Sequence, residues 1–174
     1  MIQKCSIWAV LREFLDNPLK KHYTRGLSRK VKLAPTSIKI HLDRLVKEGL
    51  VTEKKDDVFK YHVANFDSEQ FRFYKKINWL ISLNDCGLIR YLIDNCTPDA
   101  IILFGSCAKG EDTEKSDVDI YVQSREKKLD VGKYEKIINR KIQLFFSQDI
   151  NKLPAELRNN VLNGIKLEGY IKVF

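Results

Sequence analysis

Apolar residues recur along this chain in two rhythms, and the change of rhythm divides it. Over residues 27–50 they fall three and four apart, at Ile38, Leu42, Leu45 and Val46. That spacing predicts a short helix, a turn and a longer helix whose stripe is buried. Pro35 fits the first turn of the longer helix, where a missing N–H costs nothing, and Gly49 fits the position just past its end. The opposite face then carries Thr36, Ser37, Lys39, His41 and Arg44. Two strand-like runs follow, residues 50–55 and 58–63, joined through Asp56 and Asp57. Next, Ser68 or Asp67 caps a helix through Phe71, Tyr74, Ile77, Leu80 and Ile81. A second helix is predicted over about residues 85–95, with Leu88, Ile89, Tyr91, Leu92 and Ile93. Phe71, Phe73, Tyr74 and Trp79 make this region aromatic and are expected in domain or interdomain core. A continuous apolar run at 101–104 and the mostly apolar run 118–122, interrupted at Asp119, read as buried strands. A closing helix over residues 154–166 and a short extended tail over 169–174 complete the pattern.

The candidate chemistry lies between those two apolar runs. Gly105 and Ser106 end the first, and ten residues later Asp117 and Asp119 flank Val118 at the start of the second. Alternate residues of a strand point to the same side, so the two carboxylates are aimed at one place, about 7 Å apart along the strand. Such a pair raises its own pKa values and weakens the sheet unless a cation lies between, and a divalent metal is the simplest reason to keep it. A glycine turn that opens a helix bares N–H groups able to bind phosphate. A polar connection between two buried strands would also use Gly, Asp, Glu, Lys and Ser. Here the strand, the turn, the spacing and the second strand all agree.

The pattern Gly-Ser, ten residues, Asp-x-Asp resembles the signature of the nucleotidyltransferase superfamily related to DNA polymerase beta. Within it, roughly residues 98–174 are most similar to the minimal nucleotidyltransferase branch. The resemblance implies a small mixed sheet flanked by helices, with magnesium ions held by Asp117 and Asp119. It further implies an NTP, most simply ATP, whose phosphates meet Gly105 and Ser106 together with Lys109 and Ser116. The implied reaction moves a nucleoside monophosphate to a protein or nucleic-acid hydroxyl and releases pyrophosphate. Two departures bear on activity. Cys107 stands where the family writes arginine after Gly-Ser, and its plain reading is a small residue filling the loop–helix junction. The later strand that carries a third carboxylate in active members matches residues 140–146 here, which puts Gln143 at that position. An amide can accept a hydrogen bond or ligate a metal weakly, but it cannot act as a base. Asp149, near in sequence, is the one carboxylate offered as a substitute.

About residues 5–65 resemble the winged-helix domains of bacterial and archaeal transcription regulators. The resemblance implies that the second helix of the pair enters the major groove of double-stranded DNA and that the hairpin touches the backbone. Lys54 and Lys55 of the hairpin then join Thr36, Ser37, Lys39, His41 and Arg44 as DNA-binding candidates. Charge agrees: residues 1–66 hold 14 Lys and Arg against 7 Asp and Glu, whereas 67–174 hold 17 against 16. Nearly all of the net charge of +8 therefore lies in the first part, as salt-dependent phosphate binding requires. Such regulators read symmetric sites in pairs, so a homodimer is expected. The expected fold class is α+β, with a winged helix-turn-helix over residues 1–66, a helical connector over 67–97 and a nucleotidyltransferase domain over 98–174.

The remaining composition narrows the setting. No apolar run reaches membrane-span length and no signal segment opens the chain, so a cytoplasmic protein is expected. Cys5, Cys86, Cys96 and Cys107 show no metal-ligand pairing and read as reduced thiols. Three function classes follow: a magnesium-dependent nucleotidyltransferase, a DNA-binding regulator whose second domain senses nucleotide, and, from resemblance alone, an antitoxin acting beside a HEPN-type toxin.

Overall fold

In the computed structural model, which describes residues 5–171, the chain divides into two units whose boundary falls between Lys75 and Lys76. The first unit opens with three helices, α1 (Ser6–Asp16), α2 (Thr24–Val31) and α3 (Pro35–Lys47), and continues into the strands β1 (Val51–Lys55) and β2 (Lys60–Ala64). The strands pair antiparallel, with Val51 opposite Ala64 and Lys55 opposite Lys60. Pro35 occupies the first turn of α3, and Gly49 just beyond it has φ +70°, a conformation that favours glycine. Trp8, Val10, Leu11, Phe14 and Leu15 of α1 are buried, as are Leu27, Ile38, Leu42 and Leu45, and the three helices pack on one another. Val46 departs from the predicted stripe and is 36 % exposed. One residue turns a helix by about 100°, which carries Val46 from Leu45 to the rim.

Outside the hairpin, His22 and His62 form an antiparallel bridge in which each N–H donates to the other's carbonyl at 2.8 Å. Both imidazoles are buried, and burial pushes His62 below the ordinary histidine range while Glu53 opposes it. A depressed folded pKa means that the unfolded chain binds the proton more readily. Stability therefore rises with pH up to about 6.5 and is lost as pH falls below it. Denaturant unfolding of this unit is expected to become easier from pH 7 to pH 5, and His62→Asn is expected to flatten that dependence. An equally steep pH profile in the variant would assign the effect to other groups.

Helix α4 (Glu69–Asp85) crosses the boundary between the units. Ser68 caps it, its hydroxyl oxygen accepting the Phe71 N–H at 3.3 Å. Lys75 is 1 % exposed and donates to the Leu15 carbonyl at 2.9 Å, which satisfies one of the last carbonyls of α1.

Within the second unit, Gly87 at φ +82° separates α4 from α5 (Leu88–Cys96). The strands β3 (Ala100–Phe104), β4 (Val118–Val122), β5 (Ile142–Phe146) and β6 (Ile165–Gly169) form a mixed sheet in the order β5-β4-β3-β6. Strand β3 runs antiparallel to β4 and β6, while β4 and β5 are parallel. Parallel neighbours need a crossover. Here α7 (Gly132–Ile138) lies in it, while α6 (Gly105–Lys109) joins β3 towards β4 and α8 (Ala155–Leu162) precedes β6. One apolar cluster gathers Leu88 and Leu92 with Ile101, Leu103, Val118, Ile120 and Val122. Another gathers Ile102, Phe104 and Tyr121 with Ile150 and Val161. Both faces of the central strands are thus covered, which explains the unbroken apolar run of β3 and leaves Asp119 as the one polar residue of β4.

The closing helix ends at Leu162, short of the residue 166 expected from the sequence, and the residues after it form β6 on the edge of β3. Gly164 marks the switch. A Cβ there would come within 2.6 Å of the Leu103 carbonyl oxygen, so only glycine lets the chain pass that close. Of the expected tail, Tyr170 donates its N–H to Asp99 at 3.0 Å, and residues 172–174 lie outside the described residues. No described helix is long and apolar enough to cross a membrane.

Candidate functional site

Strand β3 ends at Phe104, whose partner on β4 is Asp119, so the turn that follows β3 falls beside that carboxylate. Gly105 makes the turn at φ +69°, and a Cβ at this position would lie 2.4 Å from Asp119 Oδ2. Glycine is thus favoured twice, once by the backbone angle and once by the nearness of the carboxylate. Along β4 the alternation holds: Val118 and Ile120 are buried, while Asp117 and Asp119 lie half-buried on the other side. Burial raises the pKa of Asp119, and the like charge of Asp117 raises it further.

The parallel register of β4 and β5 places Gln143 opposite Asp119. Gln143 Nε2 donates to Asp117 Oδ2 at 2.6 Å, so an amide donor lies against the first carboxylate of the pair. Asp149 does not reach this place. It follows the far end of β5, and the ladder runs from Asp119 to Val122 before that end, roughly 10 Å at strand rise. Its Oδ1 instead accepts the Asn151 N–H at 2.9 Å and caps the 3₁₀ turn Ile150–Lys152. Among the described residues no group of three or more His, Cys, Asp and Glu side chains is placed for a metal. Asp117 and Asp119 are the side chains that would offer carboxylate oxygens to a divalent cation here, with the Gln143 amide beside them.

The other predicted residues take distinct positions. Ser106 is half-buried in α6, and Lys109 is exposed at its end. Ser116 Oγ accepts the Thr113 N–H at 2.9 Å and so folds the loop that enters β4. Cys107 is fully buried, and its thiol donates to the Asp117 carbonyl at 3.4 Å, pinning α6 to the carboxylate strand. A groove of about 460 Å³ beside Asp117, which the motif did not announce, is lined by Lys115, Ser116, Glu135, Lys136, Arg140 and Lys141. Lys141 is committed there to Glu135 at 2.9 Å.

In the first unit, Thr36, Lys39 and Arg44 of α3 are exposed, while Ser37 and His41 are half-buried. Arg44 Nε pairs with Glu48 one turn on at 2.8 Å. Lys54 and Lys55 are exposed on β1. The hairpin tip is built by Asp56, whose Oδ1 accepts the N–H groups of Val58 at 3.3 Å and Phe59 at 2.8 Å. Tyr23 donates its hydroxyl to Asp56 Oδ2 at 3.1 Å. The Phe59 N–H, together with these other donors, holds the carboxyl below its usual range. Sequence inspection passed over Ile40, which is 67 % exposed in the middle of the outward face of α3. Its place outside the stripe of Ile38, Leu42 and Leu45 was the available signal.

A family model described as "Polymerase beta, Nucleotidyltransferase" matches residues 87–168. No curated protein and no solved structure matches the chain. The match runs from Gly87 before α5 into β6, and it takes in the Gly105 turn, both aspartates and Gln143. Residues 87–168 are a nucleotidyltransferase-like domain.

Proposed function

We propose that the protein is a double-stranded-DNA-binding regulator of winged-helix type whose nucleotidyltransferase-like domain binds an NTP with a divalent cation and transfers its nucleotide poorly or not at all. The observation that carries this reading is the Gln143 amide, donated to Asp117 at 2.6 Å where a third carboxylate would stand. Asp117 and Asp119 supply the charge that holds the cation. Gly105 leaves the backbone open to a phosphate, and Ser106 adds a hydroxyl. Lys109 and Ser116 are the further phosphate partners in this reading. When bound, the cation would neutralise phosphate charge and polarise a phosphoryl oxygen. The Gln143 amide cannot take a proton from an acceptor hydroxyl as a carboxylate would, and Asp149 is engaged at the other end of the strand.

An active transferase is the second reading, favoured by the intact Gly105 cradle and carboxylate pair. Its acceptor would be a protein or nucleic-acid hydroxyl.

The regulator reading draws on the first unit. Residues 1–66 carry a net +7, and α3 turns Thr36, Lys39 and Arg44 outward, with Lys54 and Lys55 on the hairpin. A homodimer would suit a symmetric site. The test is a gel-shift titration against the protein's own upstream DNA at several salt concentrations, with and without ATP and magnesium. Affinity is expected to fall steeply with salt. Changing Lys39 and Arg44 together to alanine is expected to shallow the log–log slope by about two units. A response to ATP with magnesium that is absent in Asp117→Asn supports nucleotide sensing. Indifference to salt and to the double change would remove DNA recognition through α3.

A further inference from the structure

We propose that Ile40 is a specificity residue that reads the 5-methyl group of thymine in the major groove, an inference that rests on the DNA-binding reading above. Ile40 is 67 % exposed, whereas Ile38, Leu42 and Leu45 of the same helix are at most 1 % exposed. Helical spacing puts Thr36 one turn before it and Arg44 one turn after it, with Lys39, Asp43 and Lys47 alongside. Such a β-branched residue contributes little to an exposed helix surface and leaves apolar area in water.

A major groove offers what this arrangement fits. Phosphates on either side suit the lysines and Thr36, and the thymine methyl is the apolar group presented on a base edge there. Arg44, one turn on, pairs through Nε with Glu48 at 2.8 Å and offers its remaining N–H groups to phosphate or to guanine, so the apolar readout falls to Ile40. Ile40, at the centre of the outward face, is then the side chain of α3 placed to discriminate between bases by apolar contact.

The test uses the full chain and its own upstream DNA, amplified either with dTTP or with dUTP, which removes every thymine methyl and keeps the base pairing. The wild type is expected to bind the dUTP fragment about three- to ten-fold more weakly, the size of one or two buried methyl contacts. Ile40→Ala is expected to bind the dTTP fragment more weakly by a similar factor and to treat the two fragments alike. Because alanine is the better helix former, the melting temperature should not fall, so lost discrimination cannot be ascribed to unfolding. An equal preference for the dTTP fragment in wild type and variant would show that DNA stiffness, not Ile40, senses the methyl groups, and would overturn the proposal. Salt-dependent binding that ignores the methyl groups in both proteins would overturn it alone. Absence of salt-dependent binding to either fragment would remove the DNA reading and this one with it.

Discussion

Gln143→Asp is expected to raise nucleotide transfer by the domain over residues 87–168 by 10²-fold or more, the typical contribution of a positioned general base. Gln143 stands in register with Asp119, and its amide touches Asp117 at 2.6 Å. A carboxylate on the same backbone position would face the pair, add a third negative charge and remove the donor that now occupies one Asp117 oxygen. Gln143 is exposed, so the change should cost little packing. Without a cation the three carboxylates would repel one another, and the variant should melt lower than the wild type. With magnesium it should gain more, because a ligand bound only by the folded state stabilises it. Two readouts check this: label transferred from ATP, and the shift of melting temperature with magnesium. A variant that gained neither would show that Gln143 is not what limits the site.

Gly105→Ala carries the second large effect. Alanine at φ +69° enters a backbone region that costs roughly 1–2 kcal/mol, and its Cβ would meet Asp119 Oδ2 at 2.4 Å. The carboxylate must swing away, so magnesium-dependent ATP binding is expected to be lost along with some stability. Gly87→Ala is the matched control in the same unit. It has φ +82° but nothing within 4 Å of the added atom, so it bears the strain alone. Nucleotide binding measured by calorimetry should survive in Gly87→Ala and vanish in Gly105→Ala. Equal binding in both would mean that the contact between Gly105 and Asp119 has no part in holding nucleotide.

How much of this could be read from the chain depends on the range over which each signal acts. The carboxylate pair was legible because strand alternation is local: Val118 between two aspartates fixes which side each one takes. The same holds for the Gly105 turn, for Pro35 and Gly49 around α3, and for the Ser68 cap. Pairing between distant strands is not local. That Asp119 faces Gln143 follows from a parallel crossover through α7, and that Gln143 donates to Asp117 follows from the register that crossover sets. The start of β6 falls inside the helix predicted to residue 166 because its pairing with β3 joins residues some sixty positions apart, and only Gly164 hints at the break. Lys75 reads as a surface residue from its type. Its burial comes from the Leu15 carbonyl, which the helix end leaves without a partner until α4 arrives. Gln143 was legible from its motif, whereas Asp149, near it in sequence, caps a turn beyond the far end of β5, because sequence nearness says little about which end of a sheet a residue occupies.

The most direct measurement incubates the full-length protein with labelled ATP and magnesium, following binding by calorimetry and transfer by retained label, with Asp117→Asn combined with Asp119→Asn as the dead control. Magnesium-dependent binding that is lost in the double variant, with transfer absent from the wild type and present in Gln143→Asp, is the predicted result. Transfer by the wild type as fast as by Gln143→Asp, or ATP binding unchanged without both aspartates, would contradict it.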